Sequence, residues 1–259
     1  MCKRFENKVA IVTGAGSGIG LAAALAFAQE GAAVVVVDIS PQKAEAAVNS
    51  IREKGGKALA VTADVSRAED AQRIPSEAVA TFGGVDVLAN IAGIQTYGTV
   101  VDTDEDTWDR TIDTNLKSMY LVSKYCVPEM IKRGGGSIVN MASVQGLASM
   151  RNVVAYTASK GGVLAMTRTM ALDHALQNIR VNSVCPGTVD TPMLQWAANE
   201  LNPDNPQEVI KEWGKIHALN RVAKADEVAQ VILFLASDAA SFITGTQIIV
   251  DGGLLAKIA

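Results

Sequence analysis

The sequence predicts an α/β protein in which helices cover both faces of a doubly wound parallel sheet of about seven strands. Two observations lead to this prediction. Short apolar runs rich in Val, Ile and Ala alternate along the chain with longer stretches of helical apolar spacing. The chain also has 259 residues, 49% of them hydrophobic and 19% charged, which is enough apolar material for a core on each side of a sheet.

The predicted strands are the runs in which small and β-branched residues follow one another without helical spacing. They lie at 9–13, 33–38, 58–62, 85–90, 137–142, 179–185 and 247–251. The predicted helices lie between them, at 21–30, 42–54, 69–82, 107–133, 156–177 and 226–236. Such regular alternation indicates right-handed crossovers and therefore a parallel sheet.

No linker, repeat or shift in composition divides the chain, so residues 1–259 are expected to form a single domain. The stretch from Asp190 to His217 has no predicted partner in the sheet and contains three prolines and two of the three tryptophans. We therefore expect residues 190–217 to form a lid over a binding site.

Composition excludes several classes of function. The net charge of -4 and the absence of long Lys/Arg runs argue against a nucleic-acid partner, and no apolar run is long enough to span a membrane. Three widely spaced cysteines, Cys2, Cys126 and Cys185, fit a reducing cytoplasmic location. With only His174 and His217 in the chain, we expect no metal site and no histidine-based triad.

A glycine-rich turn directly follows the first predicted strand and opens the first predicted helix. Its glycines at 14, 18 and 20 fit the spacing GxxxGxG, with Ser17 and Ile19 between them. Bare backbone N–H groups at a helix N-terminus favour a pyrophosphate, so the turn predicts dinucleotide binding. The alternative is an ordinary glycine-rich turn.

Asp38 ends the second predicted strand, where a carboxylate can accept hydrogen bonds from both hydroxyls of an adenosine ribose. The same charge would repel a 2'-phosphate, and neither position 17 nor position 39 is basic. The residue therefore predicts NAD over NADP as the cofactor. Its alternative role is to cap the next helix.

With these and further motifs, the sequence resembles the single-domain short-chain dehydrogenase/reductase family over essentially the whole chain. The motifs are TGxxxGxG at 13–20, Asp64, Asn-Ile-Ala-Gly at 90–93, Asn115, Ser143, Tyr156-Thr-Ala-Ser-Lys160 and Pro186-Gly187. Ile91 departs from the Ala or Asn that is usual there. The resemblance implies a Rossmann-like fold and a homotetramer, and it fits the NAD cofactor predicted from Asp38.

The resemblance also implies a set of cofactor-binding residues. They are Gly14, Ser17, Gly18, Ile19, Gly20, Asp38, Asp64, Val65, Asn90, Ala92, Gly93, Tyr156, Lys160, Pro186, Gly187, Thr188, Val189 and Thr191. Thr188, Val189 and Thr191 have an alternative role, because a turn that opens a helix would carry similar residues without binding a cofactor.

Tyr156 and Lys160 are four residues apart on a predicted helix, so they share one face. Tyr120 and Lys124 match the same spacing, but only Tyr156 follows a serine, Ser143, at the carboxyl end of a strand. We interpret Tyr120 as helix packing. A nearby ammonium, helped by the positive nicotinamide ring, would favour the phenolate.

The family resemblance implies four catalytic residues, Asn115, Ser143, Tyr156 and Lys160. It implies that Tyr156 takes the alcohol proton while hydride leaves for the nicotinamide. Ser143 would hydrogen-bond the substrate oxygen. Asn115 would hold a water that links Lys160 to solvent.

We expect the substrate to lie against Gln95, Ser143, Gln145, Tyr156 and Trp196. Together with Gln195 and Asn199 in the predicted lid, the amides favour a sugar or polyol, because unpaired amides facing an apolar ligand are costly. The glutamines could instead be solvated loop residues, and Trp196 and Trp213 could simply pack the lid.

The predicted function is hydride transfer between NAD and a secondary alcohol. The alternatives are an NADPH-type 3-oxoacyl thioester reductase, disfavoured by Asp38, and a sugar-nucleotide epimerase, which would carry GxxGxxG and a longer substrate domain. A catalytically silent nucleotide-binding protein is the remaining alternative, and the presence of all four catalytic residues counts against it.

Overall fold

The computed structural model describes residues 3–257, so Cys2 lies outside the described residues. Its strands are β1 (Val9–Thr13), β2 (Ala33–Asp38), β3 (Lys57–Thr62), β4 (Val87–Asn90), β5 (Gly136–Met141), β6 (Ile179–Pro186), β7 (Val189–Asp190), β8 (Ala223–Lys224) and β9 (Gln247–Val250). Seven of them form a parallel sheet in the order β3-β2-β1-β4-β5-β6-β9. The predicted fold class is confirmed.

The helices are α1 (Gly18–Gln29), α2 (Pro41–Glu53), α3 (Ala68–Phe82), α4 (Glu105–Ile112), α5 (Ser118–Lys132), α6 (Val154–His174), α7 (Pro192–Leu201), α8 (Pro206–Lys215) and α9 (Ala225–Ala236). Side chains cap several of them at the N-terminus. Ser40, Asp104, Thr191 and Asn205 each accept a hydrogen bond from a backbone N–H in the first turn of the helix that follows.

Alternate residues of the central strands enter two separate cores. Ala10 and Val12 of β1 pack with α1, α2 and α9 on one face, whereas Val9 and Ile11 pack with α3, α5 and α6 on the other. Every residue of β1 is buried, as expected for a strand covered on both sides. The strands predicted from the sequence are continuously apolar because helices cover both faces of the sheet.

Two predicted elements differ from the structure. The helix predicted over 107–133 is interrupted by a π-helical turn at Asp113–Lys117. The sequence did not reveal this turn, because a single wide turn leaves the apolar spacing almost unchanged. The expectation that Asp190 lacks a sheet partner is wrong, since β7 pairs with β8 in a second, two-stranded sheet. Strands of two residues are too short to produce a periodic signal.

The strand order reverses between β1 and β4, so their following loops diverge and leave a crevice at the carboxyl edge of the sheet. Helices α7 and α8, which make up most of the predicted lid, stand beside this edge. Within residues 3–257, no helix combines the length and hydrophobicity needed to cross a bilayer.

Candidate active site

A cleft of about 1180 Å³ opens at the carboxyl edge of the main sheet. Its walls come from the loops that follow β1 to β6 and from α7 and α8, which is the position where parallel α/β sheets bind ligands. Most of the residues predicted from the sequence line it. Asn90, Asn115 and Trp196 do not.

The glycine-rich loop brings bare backbone to one wall of the cleft. Gly14 and Gly18 have φ angles of +64° and +54°, which favour glycine. A Cβ on Gly14 would lie 2.9 Å from the Cα of Ala92, and one on Gly20 would overlap the Gly14 carbonyl. Helix α1 begins there without a capping side chain or an acidic residue in its first turn, so its N–H groups fit a dinucleotide pyrophosphate.

Asp38 is fixed beside this loop by its own backbone contacts. One carboxylate oxygen accepts from the N–H of Gly16 at 2.9 Å, and the other accepts from the N–H of Ser40 at 3.0 Å. Ser40 itself caps α2, so the alternative role proposed for Asp38 belongs to its neighbour. Each carboxylate oxygen keeps a further lone pair that can accept a ribose hydroxyl.

Asp64 and Val65 line the same part of the cleft after β3. The Oδ1 atom of Asp64 accepts from both the N–H and the hydroxyl of Ser66, at 3.0 and 2.6 Å. This local turn holds the carboxylate at the edge of the sheet.

The Asn-Ile-Ala-Gly segment divides its residues between the cleft and the core. Ala92 and Gly93 line the cleft, whereas the buried Asn90 amide donates to Ser123 at 3.1 Å and to Asn140 at 3.0 Å. The side chain of Asn90 is therefore a structural link between strands and not the cleft residue that we expected. The motif mixes structural and cleft-lining positions, and sequence alone does not separate them.

Residues at and after the end of β6 form another part of the cleft wall. Pro186, Gly187, Thr188, Val189 and Thr191 all line the cleft. The hydroxyl of Thr191 also accepts from the N–H of Leu194 at 3.4 Å and caps α7. Capping a helix and lining the cleft are therefore compatible roles.

Three predicted catalytic side chains meet in the cleft. Lys160 is 3% exposed, and its Nζ donates to the carbonyl of Met141 at 2.8 Å and lies 5.6 Å from the centre of the Tyr156 ring. Ser143 follows β5, and its hydroxyl accepts from the N–H of Gln145 at 3.1 Å. Lys160 and Tyr156 share one face of α6, as the spacing predicts.

Asn115 lies behind this group in the π-helical turn and is fully buried. Its Oδ1 accepts from the N–H of Ile94 at 2.8 Å, and its Nδ2 donates to the carbonyl of Ile94 at 2.9 Å and to Ser159 at 3.2 Å. The side chain thus fixes the loop after β4 against α6. A π-helical turn also alters the backbone hydrogen bonding at this point, which is common at functional sites.

Burial dominates the pKa shifts of the predicted catalytic pair, Tyr156 and Lys160. It raises the pKa of Tyr156 to about 12, although the hydrogen bond with Ser143 opposes the rise, and it lowers the pKa of Lys160 to about 8. Desolvation of both side chains thus opposes the expected effect of the ammonium on the phenolate, and the expectation from the sequence left this contribution out.

The second Tyr-x-x-x-Lys pair, Tyr120 and Lys124, lies outside the cleft. Tyr120 is 50% exposed on α5, with the Nζ of Lys124 5.9 Å from its ring, and neither residue lines the cleft. Half of the Tyr120 side chain on α5 faces solvent, so within this chain only the other half is packed.

The end of the cleft predicted to hold the substrate is less polar than expected from the sequence. Gln95, Gln145 and Trp213 line it, but Trp196 lies outside and stacks on Tyr97 with 6.3 Å between ring centres. Gln195 also lies outside, where it donates to Asp190 at 2.8 Å, and Asn199 is exposed on α7. Residues that no sequence motif signals complete the lining, among them Tyr97, Met150, Met193, Leu254 and Leu255.

A doubly wound sheet with an open helix N-terminus, a carboxylate at the second strand and a Ser, Tyr and Lys cluster defines a class of dinucleotide-dependent oxidoreductase. The chain belongs to the short-chain dehydrogenase/reductase family. A family profile described as enoyl-(acyl carrier protein) reductase matches residues 14–255. The resemblance inferred from the sequence is thereby confirmed.

Individual relatives span the whole chain. The cyclohexanol dehydrogenase of Acinetobacter sp. (strain SE19) is 42% identical, covering 99% of this chain and 98% of that protein. The 3-oxoacyl-(acyl-carrier-protein) reductase of Thermotoga maritima is also 42% identical, covering 97% and 99%. The solved structure of Thermoplasma acidophilum aldohexose dehydrogenase superposes with a TM-score of 0.90 at 37% identity, covering 100% and 98%. The protein is an oxidoreductase of a family that binds a nicotinamide cofactor.

Proposed function

We propose that the protein is an NAD-dependent dehydrogenase that interconverts a secondary alcohol and its ketone. The observation that carries the proposal is that Ser143, Tyr156 and Lys160 line one end of the cleft and Asp38 lines the wall beside the glycine-rich loop. When bound, the cofactor supplies the acceptor for the hydride that leaves the substrate carbon.

Tyr156 is proposed to accept the hydroxyl proton of the substrate. Because burial raises its pKa to about 12, it needs a cation close by, and the Lys160 ammonium is held in place by the Met141 carbonyl. Ser143 would hydrogen-bond the substrate oxygen. Asn115 would act through the loop at Ile94, which it fixes with two hydrogen bonds.

Asp38 supports NAD over NADP. Both of its oxygens are held by backbone N–H groups, so the carboxylate cannot swing away from an incoming 2'-phosphate without breaking them. Two like charges in such a site cost at least about 1.4 kcal/mol, or tenfold in affinity. A 3-oxoacyl thioester reductase is the second candidate, because the relative in Thermotoga maritima carries that name. Turnover with NADPH as fast as with NADH would favour this second candidate.

Gln145 supports a sugar or polyol as the substrate. Its Oε1 is buried and has no hydrogen-bond partner within residues 3–257, while its Nε2 contacts only the sulfur of Met150 at 3.2 Å. An unsatisfied buried acceptor costs about 1–3 kcal/mol. A second hydroxyl on the substrate would donate to Oε1, whereas an acyl chain has no group that could.

A substrate panel tests the proposal. We expect NADH to form faster with aldoses and polyols than with cyclohexanol, hydroxysteroids or 3-hydroxyacyl thioesters. Gln145→Leu should lower kcat/KM for polyols about tenfold and leave cyclohexanol unchanged. Gln195→Leu, which alters an amide outside the cleft, is the matched control.

Three outcomes would contradict the proposal. Faster turnover of the apolar alcohols, or an equal effect of Gln145→Leu on every substrate, would remove the polyol assignment. No NADH from any alcohol would favour the silent nucleotide-binding protein.

A further inference from the structure

His217 is a buried histidine that the proposed chemistry does not use. It lies just beyond the end of α8 and is 3% exposed. Its Nδ1 lies 2.6 Å from the carbonyl oxygen of Asp251, and its Nε2 lies 3.4 Å from the backbone nitrogen of Thr188. Because a carbonyl only accepts and an N–H only donates, these partners assign the donor role to Nδ1 and the acceptor role to Nε2.

The ring joins three segments of chain at one wall of the cleft. A Cβ on Gly187 would lie 2.6 Å from the Cε1 of His217, so the ring packs directly on bare backbone there. The N–H of Leu219 donates to the carbonyl of Gly252 at 3.0 Å and ties the same two segments together a short distance away. Gly187, Thr188 and Ile216 all line the cleft.

We infer that His217 is a positioning residue, which holds the Gly187–Thr188 loop in the orientation that receives the cofactor and couples that loop to α8. The inference rests on the proposed function, because it assumes that the nicotinamide cofactor occupies this cleft. Without the Nε2 acceptor, the N–H of Thr188 loses its hydrogen bond to His217, and the Gly187–Thr188 loop is no longer held in this orientation. The expected consequence is weaker cofactor binding with little change in the chemical step.

Three substitutions separate the two hydrogen bonds. His217→Gln keeps an acceptor that can reach Thr188, His217→Asn keeps a donor for the Asp251 carbonyl, and His217→Leu keeps neither. His174→Leu is the control, since His174 is the only other histidine and bonds Gln177 in an exposed position at the end of α6.

The measurements are the dissociation constant of NADH from fluorescence titration, kcat and KM with the alcohol that gives the fastest turnover, and the melting temperature. We expect the NADH dissociation constant to rise at least about fivefold in His217→Asn and His217→Leu, and to return to within about twofold in His217→Gln. We expect kcat to stay within about twofold throughout, and His174→Leu to match the unaltered protein.

Unchanged NADH binding in a folded His217→Leu variant would overturn the inference. So would a parallel loss of melting temperature and NADH affinity in all three variants, because that pattern describes a core residue and not a positioning one. If the unaltered protein does not bind NADH, the proposed function itself fails, which the titration of that protein shows before any variant is made.

Discussion

Replacing Lys160 with Met should make the nucleotide-free protein more stable while it removes activity. Lys160 is buried, and methionine has a similar length and no charge, so the substitution removes the desolvated ammonium without opening a large cavity. The expected gain in stability follows from the pKa of this side chain.

Burial lowers the pKa of Lys160 from its ordinary value of 10.5 to about 8. One pKa unit corresponds to about 1.4 kcal/mol, so keeping the ammonium charged in the fold costs about 3 kcal/mol below pH 8. The variant also loses the 2.8 Å hydrogen bond to the Met141 carbonyl, which offsets about 1–2 kcal/mol. We therefore expect the free energy of unfolding to rise by about 1–2 kcal/mol at pH 7.

The effect has a defined pH dependence. Between pH 8 and about 10.5 the unfolded chain still holds the lysine proton while the folded protein has lost it, so the unaltered protein gains stability as the pH rises. The Met variant lacks this gain. Its advantage should shrink through this window. Groups remote from position 160 cancel in the comparison, whereas Cys185 interacts with the Lys160 charge and contributes to the difference.

Urea denaturation at several pH values from about 7 to 10 measures this difference. Lys124→Met, which alters an exposed lysine in the same Tyr-x-x-x-Lys spacing, is the matched control and should change stability little. A Lys160→Met variant that is less stable at pH 7, or an advantage that stays constant up to pH 10, would refute the reasoning.

Two further predictions test the catalytic and cofactor assignments. Tyr156→Phe should lower kcat by at least about 100-fold while the NADH dissociation constant stays unchanged, because it removes the proton acceptor and keeps the ring. Tyr120→Phe is its control, and an equal loss there would mean that the other pair is catalytic. The unaltered protein should favour NAD over NADP by at least about tenfold in kcat/KM, and Asp38→Ala should narrow that ratio. Equal use of both cofactors before any substitution would contradict the ribose role of Asp38.

The sequence was sufficient for those parts of the fold and site that depend on local spacing. Apolar runs located the seven strands of the main sheet because helices bury both faces of that sheet. The four-residue spacing of Tyr156 and Lys160 placed them on one helical face, and Asp38 was placed because a strand end fixes where its side chain emerges.

Features that depend on contacts between distant segments were not predicted. Tyr97 meets Trp196, and His217 meets Thr188 and Asp251, across separations that no local pattern records. Desolvation is also a property of the whole fold, so the direction of the Tyr156 pKa shift could not be read from the neighbouring lysine.

Three features that sequence patterns do not predict lie at or beside the cleft. Lys160 is a buried amine, the Oε1 of Gln145 is a buried acceptor without a partner, and Asn115 sits in a π-helical turn inside an otherwise regular helical region. The buried amine and the unpaired acceptor each lower stability on their own, and a chain selected for stability alone would replace them. The position of these residues at or beside one cleft supports the catalytic and binding roles that we propose for them. Substitutions that remove the buried charge or the unpaired acceptor should therefore stabilise the protein and weaken its activity together.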